Sequence, residues 1–454
     1  MKNIKVLLWY DVEDFITPEA DDALLALLDM MHELGIRSSL KIVGEKIRVL
    51  QQRGRSDIIT KLADHEIGYH TESHSIHPTQ LEYLKDMGFA KGAEEWERNE
   101  KKGFESVQSL TGQFPACYGQ PGGSWVPQAF PVLKKWGIHT YLDSHDLISV
   151  EEKPFWYGGL LNLTHLWSTM RLEFVDGGLE AAQKEFDSFC EREEAFQLVS
   201  IYYHPCEFAC TEFWDGVNFN KGRNTPRNQW RPAKVRSKEE MKRRVALLGR
   251  FLRYTMQKPG VEYITARQVM RYVKADPSPL TRRDILEIAG RVSGGPDYDV
   301  AEHRSLCASE ILSLFSRFVL GRQLTPECFY GPECESASYY VQPVTLQQLA
   351  RAVAEQSERV LGYKQLPVLY YVGENRLNPL DVFMALARAI SNNKESRELL
   401  DLQIGRAKLL PARHVNTDYN WAKGWDIFPD TLEAPEIVRH AVRQTWTLKP
   451  VLWI

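Results

Sequence analysis

The stretch DHEIGYHTESHSIHP, residues 64–78, holds four histidines and three acids in fifteen positions. Two readings compete for it: a polar surface turn, or the ligands of a metal ion. His70 and His74 stand four apart, so on a helix or a turn of helical pitch both imidazoles share a face and reach one ion. Two imidazoles do not complete a site, because a borderline divalent cation takes a carboxylate as well and keeps a position for water. The chain offers that carboxylate at Asp11-Val12-Glu13-Asp14, directly after an apolar run. HEIGYH itself reads as a strand ending at His70, and LVSIYYH ends a later strand at His204. In α/β proteins, chemistry gathers at the C-terminal ends of strands. Alone, DVED is most often a solvated turn and HxxxH a surface pair. Their conjunction at three strand ends favours the metal.

Working outward, the chain to about residue 275 alternates strand-like runs (KVLLWYDV, SSLKIVG, HEIGYH, ACYGQPG, HTYLDS, LVSIYYH, VEYITA) with helical patterns. The helical ones include 20–35, closed by Gly35 as a C-cap, then 128–137 and 238–257. Strands alternating with helices predict an α/β fold with a parallel sheet, and about seven such units suit a closed barrel better than an open sheet. Residues 276–300, rich in Pro, Gly and charge, read as a linker. Residues 301–454 read as a smaller, mainly helical accessory region. Within it EILSLFSRFV (310–319) aligns with DVFMALARAI (381–390), and TLQQLARAV (345–353) more weakly with APEIVRHAV (434–442). That echo predicts two repeats, 301–372 and 373–454.

Bulk properties narrow the setting. A chain of 454 residues exceeds one ordinary core. Its 43% apolar and 26% charged content is that of a soluble protein. A net charge of −4 argues against a globally basic nucleic-acid binder. No apolar run approaches the roughly 20 residues of a membrane span, so no transmembrane segment is expected. The start MKNIKVLLWYDVEDF has too short an apolar run for a secretion signal and reads as a first buried strand, which predicts a cytoplasmic location. Seven cysteines at irregular spacing argue against a disulfide framework, and Cys206 and Cys210 read as buried thiols.

With these residues in place, the chain resembles the polysaccharide deacetylase superfamily of carbohydrate esterases. The second motif of typical members, G-H-E-I-G-N-H-T-x-S-H, is matched by D-H-E-I-G-Y-H-T-E-S-H at 64–74. The aspartate motif after the first strand is matched by DVED in a spaced form, and the last motif by Tyr202-Tyr203-His204. The resemblance covers residues 1–275. It implies a distorted (β/α) barrel of seven or eight parallel strands and metal-dependent removal of an acyl group from an amide nitrogen. It also implies His70 and His74 as metal ligands, Asp11 as general base and His204 as general acid. The carboxylate ligand is Glu13 or Asp14. Strand parity puts Asp11 and Glu13 on one side, whereas Asp14 has the commoner ligand chemistry. The implied cofactor is a divalent metal, Zn²⁺ first, with Co²⁺, Fe²⁺ or Mn²⁺ as alternatives.

The sequence departs from the family at its third motif, where an arginine that orients the base is usual. Gly119 stands in its place in CYGQPGGSW (117–125), and Gln120 is the candidate to orient Asp11 instead, without the charge. Asp143 or Asp146 in YLDSHD is the candidate carboxylate for holding His204 protonated. Gln120, Trp125 and Asp143 are the candidate substrate contacts. Trp156 is a further stacking candidate, His65 reads as structural, His77 as a weak substrate contact and Glu72 as facing outward. The segment 221–244, with ten Lys or Arg, follows the aromatic EFWDGVNFN (212–220) and reads either as a cover over the active-site mouth or as a solvated loop. The expected partners are an N-acylated sugar, a nucleotide-sugar or a lipid-linked glycan precursor, with no nucleic acid; a homodimer is a further option. Two rivals stand beside the deacetylase: an enzyme opening cyclic ureides or other non-peptide C–N bonds on the same fold, and an inactive glycan-binding relative.

Overall fold

The computed structural model describes residues 3–145, 147–194, 196–274, 279–418 and 424–454. Ten strands of the first part are β1 (Ile4–Val12), β2 (Ser39–Ile42), β3 (Glu66–Tyr69), β4 (Cys117–Tyr118), β5 (Thr140–Leu142), β6 (Phe155–Tyr157), β7 (Leu160–Leu163), β8 (Thr169–Met170), β9 (Gln197–Tyr203) and β10 (Val261–Ile264). They form one sheet with the terminal strand Lys449–Pro450, in the order Lys449–Pro450, β6, β7, β5, β4, β3, β2, β1, β9, β8, with β10 beside β1. Every pairing is parallel except β6 with β7 and β6 with the terminal strand. This is the expected α/β, distorted barrel, curled but with no pairing between its two ends among the described residues, where its mutually parallel strands number nine.

Strand β1 is buried at all nine positions because it is paired twice over. β9 takes one edge along Ile4–Tyr10. The other edge is split: β10 takes Ile4–Leu7 and β2 takes Trp9–Val12. A strand enclosed in this way reads as an unbroken apolar run, which is what KVLLWY is. All seven runs read as strands are strands. The unread ones, β6, β7, β8 and the terminal strand, have two to four residues each. The helix Pro18–Leu34 ends where Gly35 adopts φ 66° and its N–H bonds the carbonyl of His32, as the glycine predicted. The helix Lys238–Met256 begins where the Ser237 side chain accepts from the Glu240 N–H.

The segment read as a linker carries the helix Arg282–Arg291. Thr281 and Asp284 cap it reciprocally, and Ile285, Ile288 and Ala289 give it a buried face. Beyond it, short hairpins alternate with helices. The hairpin Asp299–Ala301 with Arg304–Leu306 runs into the helix Ala308–Val319, and the hairpin Tyr370–Val372 with Asn375–Leu377 runs into Pro379–Ser391. The two aligned decapeptides occupy the same place in these helices, with Glu310 and Asp381 each third from the start. The second aligned pair falls on the helices Leu346–Glu355 and Pro435–Gln444. Ile311, Phe315, Leu349 and Phe383 belong to a separate apolar core.

The last part of the chain returns to the barrel. Ile437, Ala441 and Leu448 join the apolar cluster of the barrel helices, and the Tyr157 hydroxyl donates to the Ala441 carbonyl. All seven cysteines are free, with Cys206 and Cys210 buried as expected. No helix among the described residues is long and apolar enough to cross a membrane. Leu448 is fully buried in the barrel's cluster. Leu448→Ala is therefore expected to destabilise the barrel by about 2–5 kcal/mol, read from urea unfolding followed by tryptophan fluorescence.

Candidate metal centre

The C-terminal ends of β1, β3 and β9 converge on one point. Asp11 is the last residue but one of β1, and Glu13 follows that strand directly. His70 follows β3, and His204 follows β9. His74 arrives by a turn, not a helix: Thr71 and His74 adopt φ 66° and 51°, in the left-handed region. A β-branched residue there is strained and needs outside support. The support is a double clasp, with the amides of Gly44 and Glu45 donating to the carbonyls of Thr71 and Glu72 at 2.9 and 2.8 Å.

Glu13 stands at the centre. Its Oε2 lies 2.8 Å from His74 Nε2 and 3.3 Å from His70 Nε2. Its Oε1 accepts a hydrogen bond from the Trp214 indole at 2.8 Å. The far side of each imidazole is occupied too. His70 Nδ1 donates to the Gly119 carbonyl at 2.9 Å. His74 Nδ1 bonds Ser75 Oγ at 2.5 Å, and that hydroxyl donates to Asp215 Oδ2 at 3.1 Å. These partners assign the proton of each ring to Nδ1 and aim both Nε2 lone pairs at Glu13. Burial opposes charge on Glu13, but protonation of the neighbouring His74, His204 and His70 rings would outweigh it and hold the carboxyl well below its usual range.

The donor chemistry fits a divalent cation. Glu13, His70 and His74 bring three ligand atoms within 4.8 Å of one another, all buried. Buried His74 Nε2 faces Glu13 Oε2 and makes no other hydrogen bond among the described residues. Two lone pairs and a carboxylate facing one another repel unless a proton or a cation lies between them.

His204 lines the same cavity beside Asp11, with Nε2 3.5 Å from Asp11 Oδ2. Its Nδ1 bonds Glu207 Oε2 at 3.0 Å, and Glu207 in turn pairs with Arg171. Burial pulls the His204 pKa down, but Glu13, Glu207 and Asp11 carry it up to about 9. Glu207 is correspondingly held at about 2, against its own burial, by His204 and Arg171. The cavity measures about 570 Å³. Its walls include Tyr202, Phe213 and, from the C-terminal part of the chain, Trp425. The Trp425 indole donates to Asp215 Oδ2 at 3.2 Å, and a Cβ at residue 122 would run into its ring.

Asp11, Glu13, His70, His74 and His204 are thus gathered at one site, and Gln120 and Asp143 line the same cavity. Other expectations are corrected. Asp14 turns away: its Oδ1 accepts from the amides of Ile16 and Thr17, shaping the turn after β1. Gln120 does not orient Asp11, because its amide accepts from the Tyr141 hydroxyl and donates to the Gly122 carbonyl. Asp143 does not hold His204; it accepts from Lys41 at 2.8 Å, while Glu207 takes the role at the histidine. Asp146 lies outside the described residues. Trp125 is core, 1% exposed and packed on Phe130 and Tyr157.

Around the motif, both nitrogens of His77 are bound, to Glu82 and to the Phe219 carbonyl. Glu72 faces Arg48 rather than solvent, and His65 accepts from the Ser38 amide as a structural residue. From the segment after His204, the aromatic portion 212–220 lines the cavity, whereas basic Arg227 pairs with Glu45 and stacks on Trp230. The residues missed were Lys41, Glu207, Trp214 and Trp425. For Lys41 there was a signal: a lysine inside the apolar strand SLKI must be paired when buried. Glu207, three residues beyond His204 on the helix Pro205–Ala209, was likewise within reach of a sequence reading.

No family model matches the chain, and no curated protein matches it. Solved structures that resemble it include polysaccharide deacetylases. A protein assigned to that group from Mycobacterium smegmatis is 15% identical, over 60% of this chain and 90% of its own, with a TM-score of 0.38. A peptidoglycan N-acetylglucosamine deacetylase, Bc1960, is 15% identical over 58% of this chain and 86% of its own, with a TM-score of 0.32. PuuE allantoinase is 16% identical over 59% and 89%, with a TM-score of 0.38. The likeness is one of fold over about three fifths of the chain.

Proposed function

We propose that the protein is a metal-dependent hydrolase that removes an N-acyl group, acetyl first, from an amino sugar or a glycan precursor. The observation that carries this reading is the convergence of Glu13, His70 and His74 on one point, with Asp11 and His204 side by side next to it on the cavity wall. The match of DHEIGYHTESH to the deacetylase motif supports it. A divalent ion held by Glu13, His70 and His74, Zn²⁺ first, would polarise the amide carbonyl and acidify water.

The remaining chemistry belongs to the side chains. Asp11 presents Oδ2 to the cavity and takes the proton of the attacking water. His204, with a pKa of about 9, is protonated at neutral pH and donates Nε2–H to the departing amine. Glu207 on Nδ1 keeps that proton aimed inward. A free amine and a carboxylate result. The aromatic walls, Tyr202, Phe213 and Trp425, suit a sugar ring, and Gln120 and Asp143 offer polar contacts to it. A nucleotide-linked or lipid-linked sugar suits the cytoplasmic setting read from the sequence.

Metal analysis of the purified protein should return about one divalent ion per chain, and acetate should be released from at least one member of a panel of N-acetylated sugars and nucleotide-sugars. The joint substitution His70→Ala and His74→Ala should abolish both. Metal and turnover surviving it, or hydrolysis of a cyclic ureide alone, would overturn the assignment. The pH profile is a second test. A protonated acid of raised pKa keeps the rate up at neutral pH and loses it as pH rises through about 9. Glu207→Gln removes a negative partner of His204 and should move that loss about one unit towards lower pH.

A further inference from the structure

Lys41 sits in the middle of β2 with its side chain fully buried. Its register partner on β1 is Asp11. The ammonium lies 2.9 Å from Asp11 Oδ1 as an ion pair and donates to Asp143 Oδ2 at 2.8 Å. The Trp9 ring, on the same face of β1 as Asp11, lies 4.3 Å from it. Opposite stands Gly119: a Cβ there would collide with Lys41 Nζ and with Asp143 Oδ2. On β3, a Cβ at Gly68 would press on the lysine stem at 3.0 Å. Two glycines, one aromatic face and two carboxylates thus form a socket for this one cation.

We infer that Lys41 is the positioning residue of the general base: it fixes Asp11 by Oδ1, so that Oδ2 faces His204 and the cavity, and it does so in space left open by Gly119. The inference rests on the reading of Asp11 as the base. The charge balance supports it, since Asp11 and Asp143 would otherwise be two buried like charges with no shared cation between them. Burial pushes the Asp143 pKa up, and burial opposes the charge on Lys41, yet Asp11 and Asp143 together raise the lysine's pKa above its ordinary value.

Two readouts test this. The first is structural and independent of any activity. Crystal structures of the wild type and of Lys41→Met (or Lys41→Gln, should the first not fold) should show Asp11 holding Lys41 in the wild type and turned to another rotamer in the variant. An unchanged Asp11 rotamer, or a wild-type Lys41 Nζ more than 4 Å from Asp11, would overturn the inference. The second is kinetic. Lys41→Ala should lower kcat about 100-fold while KM and bound metal stay near wild type, and propylammonium, which replaces the missing stem and charge, should restore kcat saturably where 1-propanol does not. A kcat within about threefold of wild type, or a loss that propylammonium leaves untouched, would count against Lys41. A wild type that releases acetate from no substrate would instead sink the functional reading, and the crystallographic comparison would still decide the positioning of Asp11.

Discussion

A single carboxylate oxygen placed against two imidazole nitrogens organises the site. Glu13 Oε2 has His70 Nε2 and His74 Nε2 at 3.3 and 2.8 Å, in a pocket where all three residues are buried. Left alone, that cluster would be a liability, because buried acceptors facing one another cost stability. The surroundings hold it together all the same. Trp214 anchors the other Glu13 oxygen, and Gly119 and Ser75 fix the outer nitrogens of the two rings. Side chains held in this way are already oriented, so little reorganisation would oppose the binding of an ion.

The forked pairing of β1 explains how the sheet delivers these groups together. β10 leaves the β1 edge at Leu7 and β2 takes over at Trp9, which brings Lys41 beside Asp11. β9 on the opposite edge ends at Tyr203, so His204 emerges level with the carboxylates. β3, next to β2, delivers His70. Two opposed electrostatic settings then sit a few ångströms apart: protonated imidazoles would lower the pKa of Glu13, and carboxylates raise that of His204.

Much of this could be read in the sequence, for identifiable reasons. The seven runs recognised as strands carry enough β-branched and aromatic residues to stand out, whereas Thr169–Met170 offers no pattern at all. The strand-end logic located Asp11, His70 and His204, and alternation along a strand favoured Glu13 over Asp14, which instead caps a turn. What escaped depended on register or on distance along the chain. Nothing local announces that Lys41 and Asp143 meet, 102 positions apart, or that Trp425 reaches Asp215 across 210. The helix Arg282–Arg291 was obscured by the Pro- and Gly-containing segments on either side of its buried stripe.

Trp425 has a bearing on how such a protein diversifies. The aromatic side chain facing the cavity beside His74 belongs to a segment 210 positions further along the chain than Asp215, its hydrogen-bond partner. Part of the cavity wall is therefore encoded in the C-terminal part of the chain. Insertions or exchanges there would reshape the cavity wall while leaving Glu13, His70 and His74 in place, so the outline of the cavity and the cluster at its base can vary separately.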